Sequence, residues 1–186
     1  MVRSLNLEKA LIILSILSFI PLSVDAQKSI KGPLIFNYGD TYTVEDAEYQ
    51  ADFEKSGLKI VFDITAMGSS PEEVSAQINT IARCINMHAQ AGISIEDMDI
   101  TAVFHSNGTY TILNDKSYNE RYETNNPHID LLTQLSDLNV DLYVCGQSLS
   151  ARKVERGELH PDIKIALSAM TVFADLQMKG YALIKF

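Results

Sequence analysis

The feature that most constrains this chain is an alternation of short β-branched or aromatic runs with segments of helical period, sustained from residue 58 to residue 186. Residues 58–65 (LKIVFDIT) are rich in the side chains that pack well on a pleated sheet, and read as a mostly buried strand. Ser70 is placed to cap a helix with Pro71 at its first position and Glu72 and Glu73 at the positive dipole end. Val74, Ile78, Ile81 and Ile85 then recur at helical spacing, and Gly92 ends the segment. A second strand covers residues 98–105 and is closed by Ser106-Asn107-Gly108. A helical region interrupted at Asn125-Asn126-Pro127 follows, with Ile129, Leu132, Leu135 and Leu138 on one face. The third strand, residues 140–144, ends at Cys145-Gly146. A polar amphipathic stretch over 148–157 leads to a fourth strand at 163–167, a helix at 169–179 and a fifth strand at 181–185. This alternation predicts an α/β fold: a flavodoxin-like, doubly wound, five-stranded parallel sheet of order 2-1-3-4-5 with helices on both faces.

The residues before this unit have a different character. Arg3 and Lys9 precede an eleven-residue apolar run from Ala10 to Ile20, broken only by Ser15 and Ser18. Pro21 ends it, and Val24-Asp25-Ala26 places small side chains before Gln27. A positive start, a short apolar centre and a Val-x-Ala site are the pattern of a secretory signal peptide over residues 1–26. As a helix the run spans roughly 16 Å, whereas a bilayer core needs about 30 Å. The expectation is therefore an exported protein without a membrane span after cleavage. Residues 27–57 are expected to form an N-terminal arm or hairpin, with Asn37-Tyr38-Gly39-Asp40 as a turn, and 58–186 the α/β domain.

Charge narrows the partners. Fifteen Lys and Arg against twenty-four Asp and Glu give a formal charge of −9, and no basic cluster is present, which argues against nucleic acid. No His or Cys pair has zinc-ligand spacing, and Met67-Gly68-Ser69-Ser70 is neither a dinucleotide nor a P-loop fingerprint, so no metal and no organic cofactor is expected.

What remains is thiol chemistry. In open α/β sheets ligands sit beyond the carboxyl ends of the strands, where the strand order reverses. For the order 2-1-3-4-5 that place lies between the first and third strands, which deliver residues 65–70 and Cys145-Gly146-Gln147-Ser148. A helical segment opening at Gln147 or Ser148 would direct free N–H groups at Cys145 and favour its thiolate. The competing reading treats Cys145 as a small buried hydrophobe. A disulfide to Cys84 is disfavoured, because Cys84 would lie roughly 20 Å down a helix from that edge. His105, after the second strand, is a candidate proton donor or acceptor for the thiolate, or a neutral histidine satisfied by backbone. His88, His128 and His160 read as structural or solvated.

The run Ile100-Thr101-Ala102-Val103-Phe104-His105 with Asn107-Gly108, the later Asn126-Pro127, Leu131-Leu132 and Leu135, the run Val140 to Val144 with Cys145-Gly146-Gln147-Ser148, and residues 177–184 together resemble the DsrE/DsrF-like family, which includes the TusD-like sulfur-relay proteins. The resemblance implies a flavodoxin-like subunit that assembles into trimers or hexamers. It also implies a strand-end cysteine that receives sulfane sulfur as a persulfide and passes it on. Cys145 stands at that position; His105, one strand further along in the expected order, is the second candidate catalytic residue, and Asn107, Gly108, Gly146, Gln147 and Ser148 are candidate substrate-binding residues. The best-understood relay members act in the cytoplasm, whereas the leader directs this chain elsewhere, with a bacterial periplasm as the expected location.

Two functions follow. One is a sulfur-carrier or thiol-exchange protein of the cell envelope, working with donor and acceptor proteins through Cys145. The other is a non-catalytic oligomeric binding or scaffold module, in which Cys145 is inert and an arm bearing Tyr38, Tyr42 and Tyr49 makes subunit contacts with the helix flank around Cys84.

Overall fold

Five strands, β1 (Leu58–Ile64), β2 (Met98–Phe104), β3 (Asp141–Cys145), β4 (Lys164–Ala166) and β5 (Ala182–Ile184), pair in parallel to form one sheet. The structure is a computed structural model that describes residues 28–49, 51 and 57–186. The expected signal peptide, residues 1–26, lies outside the described residues, as do Gln27, Gln50 and residues 52–56 of the expected arm. Among the described residues no helix is long and apolar enough to cross a membrane.

The helices are α1 (Ala76–Gln90), α2 (Asp115–Tyr122), α3 (Ile129–Asp137), α4 (Gly146–Arg152) and α5 (Ala169–Met178). The α/β class and the all-parallel five-stranded sheet agree with the sequence reading, but the strand order does not. It is β4-β3-β2-β1-β5 rather than 2-1-3-4-5.

The physical reason lies in the two sheet faces. Leu58, Ile60, Phe62 and Ile64, then Met98, Ile100, Ala102 and Phe104, then Leu142 and Val144 alternate onto one face, in the core with Ile78, Ile81 and Ile85 of α1, Leu131, Leu132 and Leu135 of α3, and Leu149 of α4. The intervening residues include Lys59, Asp63, Asp99, Thr101, Asp141 and Tyr143. This second face is too polar to need more than one helix, and α5 covers its smaller core of Val61, Val103, Cys145 and Ala169. With right-handed crossovers, helices kept on one face carry the chain steadily outward through β4. Only α5, crossing on the other face, brings it back to the far side of β1.

Helix boundaries also shift. The first helix begins at Ala76 with Ser75 at its N-cap, not at Pro71 after Ser70. Ser75 spends its hydroxyl on the Ala66 carbonyl (2.8 Å), and its N–H donates to Nε2 of the buried His128 (3.0 Å), so Pro71, Glu72 and Glu73 form a turn. α2 is capped as the rules require: the Asn114 side chain accepts from the N–H of Ser117.

The described part of the arm packs against its own domain. Ile30 and Thr41 form an antiparallel bridge, and Ile35 is buried. The buried Asn86 of α1 accepts from the N–H groups of Leu34 and Ile35 and donates to the carbonyls of Ile35, Tyr38 and Gly39. Gly39 has φ +67°, and its backbone runs so close to α1 that a Cβ there would lie 2.3 Å from the Ala82 and Arg83 backbone. Tyr38 is partly buried in this packing, whereas Tyr42 and Tyr49 are exposed.

Candidate functional site

The revised strand order moves the reversal point. After β3 the chain turns into α4 on one face, and after the neighbouring β4 it turns into α5 on the other. The crevice beyond the carboxyl ends therefore opens between β3 and β4, not between β1 and β3. Cys145, the last residue of β3 and the N-cap of α4, stands at this point. Gly146 is required there because a Cβ would come within 2.8 Å of the Ala166 carbonyl oxygen on β4. Gln147 donates to the Leu167 carbonyl (3.3 Å), tying the start of α4 to the loop that enters α5.

Cys145 is only 6% exposed, and its thiol lies between the first turns of α4 and α5. Burial, the largest single influence, raises its pKa. Against it act hydrogen bonds from the Ala169 N–H, the Ser148 hydroxyl and N–H, and the Gln147 N–H. Together these outweigh burial, and the thiol ionises below its ordinary value. The Ser148 oxygen accepts from the Ser106 N–H (3.3 Å), which leaves its one proton for the sulfur.

His105 sits beside Cys145. The β2–β3 register ends at Phe104 opposite Val144, so the next residues, His105 and Cys145, are neighbours on the same sheet face. The His105 backbone is extended (φ −154°), and its N–H donates to the Ile64 carbonyl (3.0 Å). Its Nε2 lies 2.6 Å from Asp63 Oδ1 and its Nδ1 lies 3.1 Å from Ser106 Oγ. The ring makes an edge contact with Phe173 of α5 at 6.2 Å between centroids. Ser106 adopts φ +52°, an uncommon conformation for a residue other than glycine.

Asp63, although 6% exposed, has both oxygens engaged: Oδ1 by His105 and Oδ2 by Lys185 Nζ at 3.1 Å. A carboxylate in a buried strand was a readable signal, since such groups are almost never buried without partners. The sequence reading passed over it, as it did Ser106, Ala169 and Lys185.

The remaining candidates are less central. Gly108 is buried, its N–H donates to the Thr65 carbonyl (2.9 Å), and a Cβ would lie 2.4 Å from the Ile64 carbonyl oxygen. It serves the close approach of the β1 and β2 ends, while Asn107 is exposed beside it. Cys84 belongs to the core on the opposite sheet face, so the two thiols are separated by the sheet, and both are free. Burial pushes Cys84 up to about 11. Among the described residues no cluster of three His, Cys, Asp or Glu side chains could hold a metal ion.

The fold is shared with two proteins of solved structure. MTH1491 from Methanobacterium thermoautotrophicum, described as a protein of unknown function, is 19% identical, with a TM-score of 0.53 over 69% of this chain and 99% of that one. The ychN protein from E. coli is 17% identical, with a TM-score of 0.51 over the same shares. No curated protein matches the chain. The model of the DsrE/DsrF-like family matches residues 59–186, the whole of the sheet and its helices apart from the first residue of β1, and the chain belongs to that family.

Proposed function

We propose that this protein is a sulfur carrier whose Cys145 accepts sulfane sulfur as a persulfide and hands it to a partner thiol. The observation that carries the reading is the place of Cys145, at the end of β3 and the N-cap of α4, where α4 and α5 leave on opposite sheet faces; donors from Ala169, Ser148 and Gln147 favour its thiolate there. Family membership agrees with it.

In the transfer, the Cys145 thiolate bonds to the outer sulfur of a donor persulfide. The donor's S–S bond breaks, and the donor leaves as a thiolate with that electron pair. The Cys145 persulfide returns the outer sulfur to an acceptor thiolate by the same exchange. Sulfur oxidation states are conserved overall, so no external oxidant is needed. The N–H groups that hold the thiolate are also placed to hold an anionic persulfide. Export to a bacterial periplasm and assembly into a trimer or hexamer belong to the same proposal. The test is persulfide transfer from a small donor to an acceptor thiol, compared between the wild type and Cys145→Ser. Loss of transfer in the variant is expected, and persistence contradicts the reading.

A second reading, an oligomeric binding module, is favoured by a different observation. Leu167 and Met170, beside the Cys145 loop, are 73% and 78% exposed, and Cys145 itself is nearly covered. That reading expects Cys145 to resist small thiol reagents at every pH at which the chain stays folded.

A further inference from the structure

A run of hydrogen bonds crosses the carboxyl ends of three adjacent strands and ends at Ser148, in the first turn of the helix that Cys145 caps. Asp63 Oδ1 accepts from His105 Nε2 at 2.6 Å, which leaves Nδ1 to accept from the Ser106 hydroxyl at 3.1 Å. That bond helps hold Ser106 in its positive-φ conformation, from which its N–H points at Ser148 Oγ, 3.3 Å away. Ser148 is the third residue of the helix whose N-cap is Cys145, which places its hydroxyl, occupied as an acceptor, in the turn beside the sulfur that it helps to ionise. We infer that Asp63 and His105 are positioning residues for Cys145, acting through Ser106 to aim the Ser148 hydroxyl at the sulfur. The inference rests on the reading that Cys145 works as a thiolate.

The surroundings leave few other routes by which Asp63 could act. On the elements packed around the thiol, α5 carries no charged side chain before Asp175, and the one charge on α4, Arg152, is at its far end, 5.7 Å from the Tyr110 ring. Lys164 of β4 is paired with Asp141 of β3 at 2.7 Å, and Asp99 lies toward the amino end of β2. At the carboxyl edge of this face there remain His105, Asp63 and its second partner Lys185. The direct field and the hydrogen-bonded run therefore make opposite demands. Removing the Asp63 charge while Lys185 stays makes the neighbourhood more positive, so a field effect alone lowers the pH at which Cys145 ionises. Loss of aim at Ser148 raises it.

The test is the rate of iodoacetamide alkylation at Cys145 against pH, read by peptide mass in the full chain. Asp63→Asn and His105→Gln are expected to raise the midpoint by about half a pH unit or more. Ser106→Ala, a milder change, is expected to do the same, with circular dichroism confirming that each variant is folded. In a Ser148→Ala background, which raises the midpoint itself, Asp63→Asn should add no further rise. A fall or no change in folded Asp63→Asn, with Ser148→Ala still raising the midpoint, overturns the inference. Alkylation behaving as expected in a chain that never takes up sulfane sulfur would contradict the carrier reading while upholding the positioning role.

Discussion

His105 and Cys145 occupy neighbouring positions on adjacent strands, one step beyond the Phe104–Val144 pair, on the sheet face that, among the described residues, α5 covers. A titratable ring and a thiol thus share the edge at which α4 and α5 leave in opposite directions. Asp63 joins them from β1 because β1, β2 and β3 are consecutive in the sheet. In the order 2-1-3-4-5, β1 would separate β2 from β3, and His105 would not flank Cys145.

The two thiols are predicted to react very differently. Donors from Ala169, Ser148 and Gln147 favour the Cys145 thiolate, whereas burial holds Cys84 at about 11. Near pH 7.5, limited iodoacetamide should modify Cys145 at least about tenfold faster than Cys84, with a midpoint below the free-cysteine value of about 8.5. Peptide mapping after short exposures checks both statements.

Acid should weaken the fold through His128. This ring is fully buried; its Nε2 accepts from the Ser75 N–H and its Nδ1 donates to Asn126 Oδ1 (2.7 Å). Burial pushes its pKa down to about 4. Between about 6.5 and about 4 the unfolded chain binds this proton and the folded chain does not, so stability falls as pH falls through that window. The loss approaches about 3 kcal/mol at the lower end. Urea melts across this range should show it, and His128→Gln should flatten that part of the profile while lowering stability at neutral pH.

Gly108→Ala is expected to destabilise the chain by about 2 kcal/mol, since the new methyl group meets backbone rather than a movable side chain. The displacement falls where β1 and β2 end, so Cys145 alkylation should change along with the melting temperature.

Asn86→Ala removes the side chain that binds four residues of the arm. Buried N–H and carbonyl groups lose their partners, with an expected cost of about 3 kcal/mol. Cleavage within residues 28–49 under limited proteolysis should precede cleavage of the sheet.

Much of the fold was legible because strand and helix periods are clean here: Ile60, Phe62, Ile100 and Ala102 alternate, and Ile78, Ile81 and Ile85 recur at helical spacing. Strand order was not read correctly. The signal for it was the polar character of Lys59, Asp63, Asp99 and Asp141, which left one sheet face suited to a single helix. Ser70 and Ser75 are both reasonable caps locally, and the contact between Ser75 and His128, far apart in sequence, decides between them. The Cys145 site was found from its place before Gly146, but the Ala169 N–H and the Ser106 N–H that engages Ser148 come from segments that only the fold brings together. Asp63 was legible as a carboxylate in a buried strand, but its partners His105 and Lys185 lie far from it in sequence.

The central claim is that Cys145 holds a transferable sulfur. The most direct measurement is the intact mass of the protein after incubation with polysulfide, alongside Cys145→Ser. The account predicts a gain of one sulfur atom that maps to Cys145, is removed by dithiothreitol and is absent from the variant. No adduct on a folded wild type, or an equal adduct on Cys145→Ser, would contradict it.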